Sequence, residues 1–164
     1  MKLKIHVNSY TFTRLPEIIK KGDWVDLCTN KDIILEGPKS YKGKVTFSST
    51  LIPLGVAMRL PKGCEAIVAP RSSTFNKYGI IQSNSIGVID WSYNGDSDEW
   101  KMPVIAFRDT EIIEGFRACQ FRIQLSQKAT FWQKIKWLLS SGIKIVAVDE
   151  LGSINRGGFG STDK

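Results

Sequence analysis

The residue types best suited to chemistry crowd into one stretch, Asn84-Ser85-Ile86-Gly87-Val88-Ile89-Asp90-Trp91-Ser92-Tyr93-Asn94-Gly95. An apolar run delivers a single carboxylate, Asp90, to the end of an expected strand, with the ring of Tyr93 just beyond it and Gly95 to close the turn. A hairpin of this kind presents an acid and an aromatic together. A carboxylate so placed can take a proton from an attacking water. It can equally be an ordinary turn residue, because aspartate bonds readily to its own local backbone. The surroundings must decide.

Two other segments suit phosphate. Pro70-Arg71-Ser72-Ser73-Thr74 ends a strand with a cation and a cluster of hydroxyls, followed by Lys77 and Gly79. Hydroxyls and backbone N–H groups at such a turn can cradle phosphate oxygens while an arginine supplies charge, although the same cluster also serves as plain turn chemistry. The C-terminal stretch from Gly152 to Lys164 is rich in glycine and carries Arg156, Phe159, Ser161 and Thr162. It reads as a flexible arm over residues 151–164, following a body of residues 1–150. Glycine-rich ends are commonly disordered, but a purely solvating tail has no use for Phe159. Two phosphate-suited segments and one carboxylate point to nucleotide hydrolysis.

Strands must position these groups. Residues 51–60, then Glu65-Ala66-Ile67-Val68-Ala69, Val104-Ile105-Ala106-Phe107, the alternating Phe121, Ile123 and Leu125, and Ile143-Lys144-Ile145-Val146-Ala147-Val148 are short apolar or alternating runs broken by Gly and Pro. That pattern predicts an all-β barrel, sandwich or jelly roll. One segment departs from it. Between Ser126 and Ser141, Phe131, Ile135, Leu138 and Leu139 fall on one helical face, with Gly142 as a stop. A short amphipathic helix inserted over 126–141 is expected, with Trp132 flanking the apolar face and Trp137 off it. Those tryptophans either cover the barrel or mark a contact with another protein.

At 164 residues the chain is long enough for one self-sufficient core, and no apolar run approaches the roughly 20 residues needed to span a bilayer. The opening Met1-Lys2-Leu3-Lys4-Ile5-His6-Val7 alternates like a strand, so a soluble cytoplasmic protein without membrane contact is expected. The three cysteines, Cys28, Cys64 and Cys119, are widely spaced in strand-like settings and suit buried reduced thiols. A net charge of +7 allows a nucleic acid, a membrane surface or a polyanionic small substrate. Because the basic residues are scattered and no zinc-finger or helix-turn-helix pattern is present, stable nucleic-acid binding is not expected.

Taken in order, Pro70-Arg71-Ser72-Ser73, Gly87-Val88-Ile89-Asp90 with Tyr93 and Gly95, Cys119-Gln120 within Phe116-Arg117-Ala118-Cys119-Gln120, and Arg156-Gly157-Gly158-Phe159-Gly160-Ser161-Thr162 resemble the second to fifth motifs of the trimeric dUTP pyrophosphatases (dUTPases). Gly22-Asp23-Trp24-Val25-Asp26-Leu27 more loosely resembles the family's first motif, with Asp26 at its acidic position. The resemblance implies a distorted jelly-roll β domain, and Mg2+-assisted hydrolysis of dUTP to dUMP and pyrophosphate in which Asp90 activates the water. It implies that Asp26 holds the water shell of a Mg2+ bound to the phosphates. Arg71 would order the site, and Ser72, with Ser73 beside it, and Gln120 would contact phosphate. The hairpin at Gly87, Val88 and Ile89 would bind uracil through its backbone, Asn84 would read the base, and Tyr93 would exclude a ribose. In the arm, Arg156 would bind the γ-phosphate, Phe159 would stack on uracil, and Gly160, Ser161 and Thr162 would cap the phosphate chain. A homotrimer with shared sites is further implied, the arm of one chain closing a neighbour's site.

Several features depart from that pattern. Trp91 follows the catalytic position, Asp163 stands where glycine is usual, and Asp96-Ser97-Asp98-Glu99-Trp100 lengthens the segment after the third motif. These extra acids are expected to sit in solvent or to hold a cation. The nearest alternative is a dCTP deaminase or a bifunctional deaminase and diphosphatase, which shares the fold. A second is a dUTP-responsive regulatory module acting on a protein partner through the inserted helix.

Overall fold

Runs of alternating apolar and polar residues become strands because successive side chains point to opposite faces, so that one face enters the core. In the computed structural model, which describes residues 2–9, 16–18 and 22–158, the first half of the chain forms β1 (Leu3–Ser9), β2 (Glu17–Ile18), β3 (Val25–Cys28), β4 (Ile33–Leu35), β5 (Lys39–Tyr41), β6 (Lys44–Thr46), β7 (Ser49–Pro53), β8 (Val56–Arg59) and β9 (Cys64–Pro70). Then come a short helix α1 (Thr74–Tyr78), β10 (Ile80–Gln82), β11 (Gly87–Asp90), β12 (Lys101–Ala106), β13 (Thr110–Ile112), β14 (Arg117–Leu125), a second helix α2 (Phe131–Leu138) and β15 (Ile143–Ala147). The expected all-β architecture is what the chain adopts.

The largest sheet has the order β11-β9-β14-β3-β2 and is antiparallel throughout. Facing strands form the three-stranded sheets β15-β1-β8 and β10-β12-β7, the first containing a parallel pair, β1 with β15. Inward residues of these sheets make one apolar core that includes Ile5, Leu27, Met58, Val68, Met102 and Phe121. Trp100, from the lengthened acidic segment, is fully buried there, with its ring edge-on to Phe121 at 5.2 Å between centroids. Placing so large a ring in the core anchors the loop that follows the Asp90 hairpin.

The inserted helix is shorter than the expected 126–141 and turned differently. Thr130 starts it as an extended N-cap with a reciprocal capping box to Gln133, and the chain leaves it at Leu139, before Gly142. Phe131, Trp132, Leu138 and Leu139 are exposed, whereas Trp137, expected off the apolar face, packs against the core. Gln133 explains the rotation. The capping box holds its side chain over Gly63, where a Cβ would come within 2.5 Å of Gln133 Oε1, and Trp137 lies one turn further on the same face. Thr130→Ala is expected to cost about 1 kcal/mol, seen as a lower urea midpoint with an unchanged slope.

Helix α1 was not anticipated from the hydroxyl cluster. It closes on Gly79, left-handed at φ 63°, whose N–H reaches Phe75 O. The buried Thr74 donates its hydroxyl to Ala118 O at 3.1 Å, so this hydroxyl secures the helix to the sheet. None of the three cysteines is in a disulfide, and burial raises the Cys64 thiol to about 11 and pushes Cys119 up as well. Among the described residues no helix is long and apolar enough to cross a membrane.

Candidate active site

The stretch from Gln82 to Gly95 turns back between β10 and β11, but the two arms of this hairpin bend lie in different sheets, β10 on β12 and β11 on β9. The linker is tight: Ser85 adopts φ 59°, and its N–H bonds to Gln82 O at 3.1 Å. Beyond it β11 pairs with β9 so that Gly87 faces Val68 and Asp90 faces Glu65. A cavity of about 330 Å3 opens along this arm, lined by Asn84, Gly87, Val88, Ile89, Asp90 and Tyr93. Its far wall comes from Trp100 to Pro103, and Arg156, Gly157 and Gly158 border it. The structure thus brings together seven of the residues expected from sequence.

Asp90 is half-buried and held from two sides. Ser92 donates both its N–H, at 2.8 Å, and its hydroxyl to Oδ1, while Arg156 Nη1 donates to Oδ2 at 2.5 Å. Burial alone would raise the carboxyl's pKa, but the Ser92 bonds and the Arg156 guanidinium outweigh it and hold Asp90 below the usual aspartate value. The group is therefore an oriented carboxylate at neutral pH. Tyr93 donates its hydroxyl to Glu99 O at 2.9 Å, and a Cβ on Gly158 would lie 3.1 Å from its ring. That contact fits the tyrosine as a wall between the hairpin and the arm.

The extra acids do not sit in solvent as expected. Asp98 is only 2 % exposed and accepts backbone N–H groups from Gly95, Arg156 and Gly157. Asp96 accepts from Leu151 N at 2.7 Å and from Asn8 Nδ2, and Ser97 N donates to Asn155 Oδ1. The segment is a clasp for the start of the C-terminal arm. Residues 151–158 consequently lie beside their own chain's Asp90 segment, and Arg156 Nη1 reaches Asp90 Oδ2. Phe159, Gly160, Ser161, Thr162 and Asp163 lie outside the described residues. Trp91, unexplained from sequence, is exposed, with Lys62 Nζ 5.9 Å from its ring centroid.

Arg71, Ser72, Ser73, Gln120 and Asp26 form a second group apart from the cavity. Asp90 sits opposite Glu65 near the start of β9, whereas Arg71 follows the last residue of that strand. At about 3.3 Å per residue the separation is roughly 20 Å, too far for one chain to serve both ends of a single triphosphate. Gln120 is paired between Ala69 and Asp26 on adjacent strands. Ser72 is exposed, ready for a ligand that this chain's own Asp90 does not reach.

Asp26, expected to hold the water shell of a phosphate-bound Mg2+, is fixed by two arginines. It is 6 % exposed, with Arg71 Nε 3.2 Å from one carboxylate oxygen and Arg117 Nη1 3.3 Å from the other. Two guanidiniums answer its charge, and both oxygens are buried with no hydrogen-bond partner among the described residues. Nor do the described residues contain a cluster of three His, Cys, Asp or Glu fit to hold a metal ion. The expected Mg2+ is bound to the phosphates and reached through its own waters, so it calls for no such cluster.

Two neighbours of the cavity escaped the sequence reading as functional groups. Ser92 follows Asp90 at the spacing of a local side-chain turn, a signal that was available. Gln82 lies two residues from Asn84, a local spacing as well, but its second partner, Val68 O, becomes a neighbour only through the fold. Gly87 is what admits that amide: a Cβ there would lie 3.2 Å from Val68 Cβ and 3.4 Å from Gln82 Nε2. Gly87→Ala is expected to raise the KM for nucleotide about tenfold with a smaller change in stability, checked by steady-state kinetics beside a thermal melt.

Fold and cavity together define a β domain built to hold a small ligand beside an oriented carboxylate. A family model for dUTPase matches residues 26–124. The SPbeta prophage-derived deoxyuridine 5'-triphosphate nucleotidohydrolase YosS of Bacillus subtilis is 44 % identical over 162 residues, covering 99 % of this chain and 98 % of that one. The deoxyuridine 5'-triphosphate nucleotidohydrolase of Finegoldia magna is 35 % identical over 115 residues, 69 % of this chain and 70 % of that one. In fold the chain is similar to the dUTPase of Staphylococcus bacteriophage 80alpha, with TM-score 0.62, 16 % identity, and 77 % and 93 % of the two chains covered. The chain belongs to the dUTPase family.

Proposed function

We propose that this protein is a dUTP nucleotidohydrolase, which hydrolyses dUTP to dUMP and pyrophosphate and so limits uracil in DNA. The observation that carries the reading is Asp90, ionised, aimed by Ser92 and set at the mouth of a cavity that Asn84 and Tyr93 border. In that cavity the backbone of Gly87, Val88 and Ile89 and the Asn84 amide bind uracil, and Tyr93 lies against the deoxyribose. Asp90 takes a proton from the water that attacks the α-phosphorus. A carboxylate with a depressed pKa is a weak base, so much of the acceleration must come from positioning and from neutralising phosphate charge.

That neutralisation falls to Arg156, which exchanges Asp90 for phosphate when substrate enters, and to Ser72, Ser73 and Gln120. Since the latter group lies roughly 20 Å from Asp90 along β9, the reading requires a second copy to bring them to the site. A homotrimer with shared sites satisfies this. Phe159 to Thr162 complete the arm as lid and phosphate cap. Magnesium dependence is proposed from the family, with the ion carried by the triphosphate. A cytoplasmic location fits a nucleotide-pool enzyme.

The deciding assay is pyrophosphate release from dUTP, dTTP, dCTP and UTP, with and without magnesium. Release from dUTP alone, lost on chelation, is the expected result. Ammonia release from dCTP would replace this reading with the deaminase. Sharing of sites is tested by mixing Asp90→Asn with Ser72→Ala chains. Recovered activity on co-refolding supports it, and two inactive chains that stay inactive together would refute it.

A further inference from the structure

We propose that Gln82 is a positioning residue that fixes the orientation of the Asn84 carboxamide, making the base pocket a hydrogen-bond donor and thereby rejecting cytosine. The inference rests on the reading that a pyrimidine occupies the hairpin cavity. Gln82 is the last residue of β10, 6 % exposed, and its Nε2 lies 3.3 Å from Val68 O and 2.9 Å from Asn84 Oδ1.

An amide side chain looks almost the same flipped, so its direction must come from its partners. Here one partner is unambiguous. A backbone carbonyl can only accept, so the Gln82 atom facing Val68 O is the NH2 group. Its second proton then points to Asn84, and the Asn84 atom that receives it has to be the oxygen. With that oxygen turned to Gln82, the opposite edge of the carboxamide is the NH2 group with its two protons. Gly87 leaves space for the arrangement, since a Cβ there would crowd both Val68 and Gln82.

The consequence is chemical. Asn84 is exposed on the cavity wall and could otherwise turn over at little cost, accepting from the 4-amino group of cytosine as readily as it donates to the 4-carbonyl of uracil. Tied by Gln82, its oxygen stays on that side and its NH2 group is the end left for a ligand. Uracil offers it an acceptor, whereas cytosine opposes N–H to N–H and leaves both unpaired. A site built to hydrogen-bond one pattern discriminates strongly against the inverse, so a buried amide behind the reading residue acts on specificity without touching substrate.

Gln82→Met keeps the volume and removes the tie. The ratio of kcat/KM for dUTP over dCTP is expected to fall at least tenfold, with most of the change on the dCTP side. Asn84→Asp, which places an acceptor behind the same Gln82 donor, is expected to lower the ratio further. If Gln82→Met leaves the ratio unchanged while Asn84→Ala lowers it, the proposal is overturned and the base-reading role of Asn84 stands. If Asn84→Ala also leaves the ratio unchanged, the pyrimidine reading of the cavity fails with it. A measurement on the unaltered protein guards against a variant that does not fold. In side-chain 15N spectra the Gln82 NH2 protons are expected to exchange with water far more slowly than those of Asn84, and equal fast exchange overturns the proposal.

Discussion

Asp90→Asn is expected to lower dUTP turnover about 1,000-fold, roughly 4 kcal/mol of transition-state stabilisation, while leaving nucleotide affinity within a few-fold. The asparagine keeps the shape and can still accept from Ser92, but it cannot take a proton from water. Arg156 loses its carboxylate partner and is left free for phosphate, so binding has no reason to weaken. Pyrophosphate release and calorimetric titration with a non-hydrolysable dUTP analogue separate the two quantities. Turnover that survives the change would remove Asp90 as the base.

The same contacts fix the pH behaviour. Although burial acts to raise Asp90, its Ser92 bonds and Arg156 hold it below the ordinary aspartate value in the free protein, so the base is ionised throughout the neutral range. The acid limb of kcat/KM, which reports the free enzyme, therefore falls below the ordinary carboxylate range. If substrate phosphate draws Arg156 away, a cation leaves Asp90 and its pKa rises in the complex. The acid limb of kcat is then expected at higher pH than that of kcat/KM, and coincident limbs would mean that Arg156 stays on Asp90 during turnover.

Local pattern carried β11 and the turn after it, because an apolar run ending in Asp-x-x-Tyr-x-Gly specifies a strand and a turn from neighbours alone, whereas its pairing with β9 comes from the fold. The rotation of α2 was not legible in the same way. Phe131, Trp132, Ile135, Trp137, Leu138 and Leu139 surround that helix with apolar groups, so helical periodicity does not single out a face, and a capping glutamine over Gly63 decides it. Asp96 and Asp98 read as surface acids because the backbone groups that tie them to the arm, Leu151 N and the N–H groups of Arg156 and Gly157, lie more than fifty residues away and leave no mark in residue type. Motif order likewise hid the split in the site. Arg71-Ser72 and Asp90 are close in sequence and belong to one family signature, yet antiparallel pairing of β11 with β9 sends them to opposite ends of the same strand.

Asp98→Ala is expected to cost roughly 2–4 kcal/mol and to release the start of the arm. The carboxylate lies buried between two chain segments and accepts from Gly95 N at 2.9 Å, from Arg156 N and from Gly157 N at 2.9 Å. Alanine leaves those donors without an acceptor in a place that water enters only if the arm lifts. Hydrogen exchange at the Arg156 and Gly157 amides is the sharpest readout, because protection there should collapse while the β14 amides stay protected. Burial acts to raise the Asp98 carboxyl, but the backbone N–H groups of Arg156, Gly95, Gly157 and Asn94 outweigh it, so the folded value lies below the unfolded one. The clasp's contribution is accordingly complete above the unfolded aspartate pKa and disappears as pH falls through the folded value. Acid should thus loosen the arm of the native protein toward the behaviour of the alanine variant, whose arm protection no longer depends on pH in that window. Loss of Arg156's anchor should also raise the KM for dUTP more than it lowers kcat, since the guanidinium's reach to the cavity depends on a backbone that Asp98 holds in place. Unchanged exchange at Gly157 in the variant would mean that other contacts of residues 151–158 suffice to dock the arm.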